Sequence, residues 1–302
     1  MQPDAPAFLD RDEVVFHCDA DLAPRLQIEP GGEVVVATHD ARSGKLRKPE
    51  DVIPSIPGLD ESGSPKSNPA TGPIAVIGAK PGDSLCVSIE SIDLDPVGFV
   101  IARPEWGVVK NSVSKQTAKM LPVEDGYVIF NSLRIPTQPM VGVLGVAPVG
   151  KRISTLELGA HGGNMDCNAV SVGSKVHLPV NVDGGLLFVG DVHALMGDSE
   201  ATGTGCEIGA RVHIKVDLEP GGARQWPWIE TDTHIIAYAA APTVEKAAEI
   251  AMQELVDMVQ HRHGLDYAEA FMLIGLVGHV RLNQACGAPI DVSVRIEFPK
   301  DL

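Results

Sequence analysis

Aromatic side chains are scarce in this 302-residue chain, at 4% of the total with three Trp and three Tyr. So few rings argue against a carbohydrate-binding or scaffolding surface, and the Trp226-Pro227-Trp228 pair is expected at an edge or subunit contact. Positive charge is short as well: 24 Lys and Arg stand against 40 Asp and Glu, a formal charge of −16. That balance argues against nucleic acid or an anionic membrane as a partner. No stretch approaches the roughly 20 apolar residues that cross a bilayer. The opening Met1-Gln2-Pro3-Asp4 lacks the basic and apolar regions of a signal peptide, so a cytoplasmic location is expected. Cysteine is also thin. Cys18, Cys86, Cys167, Cys206 and Cys286 are odd in number and scattered without a CxxC pair, which reads as reduced, mostly buried thiols. Neither an HExxH helix nor a nucleophile elbow occurs, and the DxDxDG pattern of a calcium loop is missing.

Glycine (31) and proline (23), by contrast, are plentiful beside an ordinary apolar fraction of 44%. That mixture predicts many short strands joined by tight turns. Residues 33–37 and 85–92 are β-branched runs introduced by Pro30-Gly31-Gly32 and Pro81-Gly82-Asp83, and further strands are expected at 127–130, 175–182, 186–190 and 211–218. In the last, Val212, Ile214, Val216 and Leu218 alternate with Arg211, His213, Lys215 and Asp217, the pattern of a half-buried strand. Residues 42–72, rich in Ser, Gly, Pro, Lys and Asp, read as a long loop, either a lid or an irregular excursion.

Two helices are expected late in the chain. Thr243 caps one that ends at Gly264, and Asp266 with Glu269 forms a capping box for a second through Phe271, Ile274 and Val277. The chain then returns to a strand in which Ile290, Val292, Val294, Ile296 and Phe298 alternate with polar residues. The expected class is a β-rich α+β protein with a late helical pair. The length suits one large unit, 1–302, with no composition break that marks a boundary.

Residues 157–207 differ in kind. They hold His161, Asp166, Asp191, His193, Asp198, Glu200 and Glu207 among glycines that let loops converge on a ligand. Imidazole and carboxylate are the donors a zinc-like ion requires. On a regular strand Asp191 and His193, two apart, face the same way.

HGGNMD (161–166), GDVHALMGDSE (190–200) and GTGCE (203–207) together resemble the acetamidase/formamidase family. GPIAVIGAKPGD (72–83) and GLVGHVRLNQACGAPIDVSVRIEFPK (275–300) are similar to it more weakly, so most of the chain is covered. The resemblance implies a β-sandwich or barrel-like fold, homodimers or higher homo-oligomers, and hydrolysis of formamide, acetamide or similar small amides. It also implies a divalent metal, zinc above all, with calcium the alternative. Two departures stand out: His279 where short members often carry Asp, and Met165 where others have Cys, so that Cys167 is not at a shared position.

On this reading His161, Asp166, Asp191 and His193 surround the metal, and Glu207, Asp198 and Glu200 supply acid–base chemistry, Glu207 as general base and then acid. Asn164, His17 and Asp40 are expected to contact the substrate. Two alternatives stay open. One is an amidase with a Cys nucleophile, Cys206 beside Glu207; the other is a non-catalytic metal-binding β-sandwich module.

Overall fold

Period-two alternation lets a strand bury one face, and strand Ala210–Glu219 follows it by burying Val212, Ile214 and Val216. The computed structural model describes residues 5–53, 58–61, 63, 65–286 and 290–302. Residues 1–4, residues 54–57, 62 and 64 within the expected loop 42–72, and residues 287–289 within the family-like segment 275–300 lie outside them.

Strand Ala210–Glu219 sits in a nine-stranded sheet. The order is Ala7–Leu9, Gly32–Thr38, Ala210–Glu219, Ser84–Leu94, Lys175–Pro179, Trp228–Glu230, His234–Ala241, Val292–Pro299 and His279–Gln284. Pairing is antiparallel except between the first two strands. A seven-stranded sheet faces it. Its order is Leu158–Gly159, Gly162–Asn164, Met140–Val146, Leu187–His193, Ala70–Val76 and Val14–Val15, with Leu26–Ile28 also paired to Ala70–Val76. Val34, Val36, Val87 and Ile214 from the first sheet pack with Ile74, Val141, Leu144 and Val189 from the second. This is a sandwich. Among the described residues no sheet closes on itself, so the barrel-like option gives way to open, stacked sheets.

A four-stranded sheet of Val97–Ala102, Thr117–Glu124, Tyr127–Phe130 and Leu133–Pro136 joins the sandwich near the site, where Phe99 bridges to Glu207. The second core lies under the expected helices, α1 (Val244–His263) and α2 (Tyr267–Val277). Their ends follow the local rules. Thr243 Oγ1 accepts the Lys246 N–H, Gly264 at φ 67 closes α1, and Asp266 and Glu269 cap α2 reciprocally. Leu255, Val256 and Val259 of α1 are buried against Ala237, Ala239 and Ile296 of the nine-stranded sheet. Each such side chain contributes about 1.5–3 kcal/mol. That sheet draws its strands from residues 7 to 299 and reaches both cores.

Candidate active site

Strand Leu187–His193 pairs with Met140–Val146 as Val141↔Val192, then next as Val143↔Gly190. Between these pairs stand Gly142 and Asp191, and Asp191 has φ 52, in the left-handed region. A Cβ on Gly142 would lie 2.6 Å from Asp166 Oδ1 and 3.1 Å from Asp191 Oδ2, so only glycine leaves room for both carboxylates. Despite the kink, Asp191 and His193 converge as expected, with His193 Nε2 3.9 Å from Asp191 Oδ2.

Backbone strain concentrates here. Of the ten non-glycine residues with positive φ among those described, Asn68, Asp166, Asp191 and Glu200 line one cavity. Each such conformation costs on the order of 1–3 kcal/mol and persists only where its surroundings enforce it. The enforcing contacts run through amides. Asn68 Nδ2 donates to Asp191 Oδ2 at 2.7 Å and to Asn164 Oδ1 at 3.3 Å, and Asn164 Nδ2 donates to Asp166 Oδ2 at 2.8 Å. Gln284 Nε2 donates to the same Asp166 oxygen and, at 3.4 Å, to Glu200 Oε2. Cys286 Sγ lies 3.0 Å from Glu200 Oε2, and the Gly205 N–H donates to Glu207 Oε1 at 3.1 Å.

Asp166, Asp191 and Glu207 therefore share one pattern: one oxygen is tethered and the other is bare. Asp166 Oδ1, Asp191 Oδ1, Glu207 Oε2 and both ring nitrogens of His193 are buried without a hydrogen-bond partner. An unsatisfied buried polar atom costs about 1–3 kcal/mol, so five together call for a ligand. His193 Nε2 stands 3.1 Å from Glu207 Oε2, within ion-pair range but off the direction of a hydrogen bond. Two donors on one tetrahedral ion, each bonded at about 2.0–2.1 Å, stand about 3.3 Å apart. The donor atoms of Asp166, Asp191 and His193 lie within 4.8 Å of one another, as do those of His193, Glu200 and Glu207. The residues fit a divalent ion.

Electrostatics point the same way. Burial, reinforced by Glu207 and opposed by His193, pushes the Asp166 carboxyl up to about 6. Burial and then Asp166 push Glu200 up to about 8, and burial with Glu207 holds Asp191 well above the carboxylate range. For His193 burial disfavours the cation, but Glu207, Asp191 and Asp166 outweigh it and raise the imidazole well above its usual range. One imidazolium balances too little negative charge here.

The Acetamidase/Formamidase family model matches residues 8–157 and 150–292. The crystal structure of an acetamidase from Bacillus halodurans is 34% identical with a TM-score of 0.91, covering 97% of each chain. A predicted acetamidase/formamidase from Thermoanaerobacter tengcongensis is 32% identical at a TM-score of 0.90, covering 97% of this chain and 95% of that one. The chain belongs to the acetamidase/formamidase family. A formamidase of Methylophilus methylotrophus is 40% identical over 67 residues, which span 22% of this chain and only 16% of that protein.

Not every residue expected from the family motifs reaches the cavity. Asp166, Asp191, Glu200, Glu207 and Asn164 line it, and His193 stands behind two of them. His161 does not join them. It is buried in the turn before Gly162–Asn164 with its ring against Gly163, and burial pushes its imidazole down to about 4. The glycines beside it serve packing. A Cβ on Gly162 would overlap the carbonyl of Leu144 on the adjoining strand. Asp198 is drawn away by Arg295, at 2.9 Å, and by Asn168, at 3.0 Å, so it anchors the turn that presents Glu200.

His17 pairs with Asp60 at 2.8 Å and stands 3.0 Å from Arg152, outside the cavity. Asp40 Oδ1 accepts the Arg42 and Gly44 N–H groups, shaping the loop that brings Ala41 and Arg42 to the wall. His279 is exposed at the start of its strand, and Met165 and Cys167 are core residues. The sequence reading overlooked Asn68, Gln284, Arg42 and Arg103. Asn68 and Arg42 lie inside the expected long loop 42–72, and no local pattern singles out the others.

Proposed function

We propose that this chain is an amidase that cleaves the C–N bond of short-chain amides to a carboxylate and ammonia, using a divalent ion held by Asp166, Asp191 and His193. The bare, buried donor atoms at one end of a small cavity carry this reading. Imidazole with carboxylates suits zinc; calcium prefers about six to eight oxygen ligands. A bound divalent ion supplies Lewis acidity at the amide carbonyl and lowers the pKa of bound water toward about 7.

Glu207 takes the proton of the attacking water and returns it to the leaving nitrogen; its Oε1 is tethered, while Oε2, 3.1 Å from His193 Nε2, has no hydrogen-bond partner, which supports this role. The water oxygen joins the carbonyl carbon, the C–N bond breaks, and ammonia departs. Asn68, Asn164 and Gln284 hold the carboxylates at their angles. Cys206 is a poor nucleophile: it is buried, packs among core residues, and burial pushes its thiol up to about 12. A homo-oligomer is part of the proposal, supported by the exposed apolar side chains Tyr267, Phe271, Met272 and Leu276 of α2 and Val280 beyond it. Among the described residues no helix is long and apolar enough to cross a membrane.

Ammonia release from formamide, acetamide, propionamide and longer amides, before and after chelation and zinc reloading, tests the reaction. Release that depends on zinc and survives Cys206→Ala is expected. No release from any amide by metal-loaded protein would end the amidase reading, and full activity in verified metal-free protein would remove the ion from it.

A further inference from the structure

A second, larger cavity adjoins the first. The side chains of Ser67, Arg103, Trp106 and Leu156 line both cavities. Arg103 is the charged one. Its guanidinium lies 4.2 Å over the Trp106 ring. The indole is itself seated hard against the 201–203 turn, since a Cβ on Gly203 would lie 2.7 Å from Trp106 Cε3. A guanidinium over an indole face is attracted by the ring and keeps N–H donors free for a planar acceptor.

Among the described residues Arg103 has no carboxylate partner, and its buried Nε has no hydrogen-bond partner. Burial and then the neighbouring Arg42 push it down to about 10, with Glu207 the group that opposes them. It stays charged at neutral pH. A plain aliphatic amide offers nothing to neutralise it, whereas a buried cation is stabilised by an acid that enters with the ligand. Planar, two-pronged donors match a carboxylate.

We infer that Arg103 binds a carboxylate at the far end of the acyl chain, so that half-amides of short dicarboxylic acids are preferred over neutral amides of equal length. The inference rests on the amidase reading for its chemistry: succinamate and water give succinate and ammonium, with the amide C–N bond broken at the carboxylate cluster and the free carboxylate held by Arg103. Trp106 acts as the positioning residue for Arg103.

The test compares kcat/KM for succinamate and butyramide in metal-loaded protein. Wild type should favour succinamate, and Arg103→Gln should lower that ratio by at least about 30-fold, the effect of removing one partner of a buried charge pair. Arg103→Lys, which keeps the charge without the fork, should retain part of it. A wild-type preference for butyramide, or an unchanged ratio in Arg103→Gln, overturns the inference, and the wild-type ratio decides alone if the variant fails to fold. Calorimetric titration with succinate separates the two readings. Arg103-dependent succinate binding without hydrolysis of any amide keeps the subsite and removes the amidase reading. Hydrolysis without succinamate preference does the reverse.

Discussion

Gly142 has no side chain and no bond to any substrate, yet it decides whether two acids can share a site. A Cβ there would lie 2.6 Å from both Asp166 Oδ1 and the Asp191 carbonyl oxygen, too close for even a methyl group, and 3.1 Å from Asp191 Oδ2. Gly142→Ala is therefore expected to displace one carboxylate and abolish zinc uptake. Its direct effect on stability should be only about 1–3 kcal/mol, the usual result of overpacking. Elemental analysis beside a denaturation curve checks this, and a variant that still binds one equivalent of zinc would contradict it. The role of Gly142 was invisible in the sequence, where it is one of 31 glycines. Nothing local marks the glycine whose neighbour across the sheet is a strained aspartate. His161 shows the converse. It sits in the densest motif, yet its ring is buried in its own turn outside the cavity lining, with Nε2 lacking a hydrogen-bond partner among the described residues.

At the scale of elements, the turn Asp198–Glu200 is held by an ion pair to the strand Val292–Pro299. Arg295 also contacts Asn283 and Glu297, so Asp198 is one of several partners. Asp198→Asn should cost about 1–2 kcal/mol, in the range of one charged hydrogen bond. It should lower turnover far less than Asp191→Asn, because Asp198 steadies the loop that carries Glu200 without facing the cavity. Steady-state kinetics on the two variants decide it; equal losses would place Asp198 in the chemistry. The elements themselves were largely legible. Strict alternation marked 211–218 and 292–298, and capping residues marked both helices, because these signals act within a few residues. Strands such as Met140–Val146 and His234–Ala241 were not, since buried on both faces they show no alternation.

The molecule as a whole carries a formal charge of −16, and part of it is forced into a dry cluster. Asp166, pushed up to about 6, and Glu200, pushed up to about 8, bind protons more tightly folded than unfolded, where carboxyls titrate near 4. Between about pH 4 and 8 these two groups thus hold more proton in the metal-free folded state than in the unfolded chain and lower its stability as pH rises. The raised His193 acts with the same sign at the upper end. The imidazoles held low by burial, His161 at about 4 together with His17, His39 and His177, oppose these groups below the usual histidine range. Carboxyls held low by partners, such as Asp198 and Glu297, make their opposite contribution at lower pH. Urea midpoints at pH 5 and pH 8 should therefore fall in chelated protein, and zinc should restore stability more at pH 8; a chelated midpoint that rises with pH would refute this. What the sequence determined on its own was everything read over a few residues: the β-rich class, the helix caps, and the two loops that hold the acids and His193. Tertiary structure alone decided which of those groups meet. The donors that tether Asp191 and Asp166 stand 123 and 118 residues away, at Asn68 and Gln284, and such pairings exist only once the sheets have stacked.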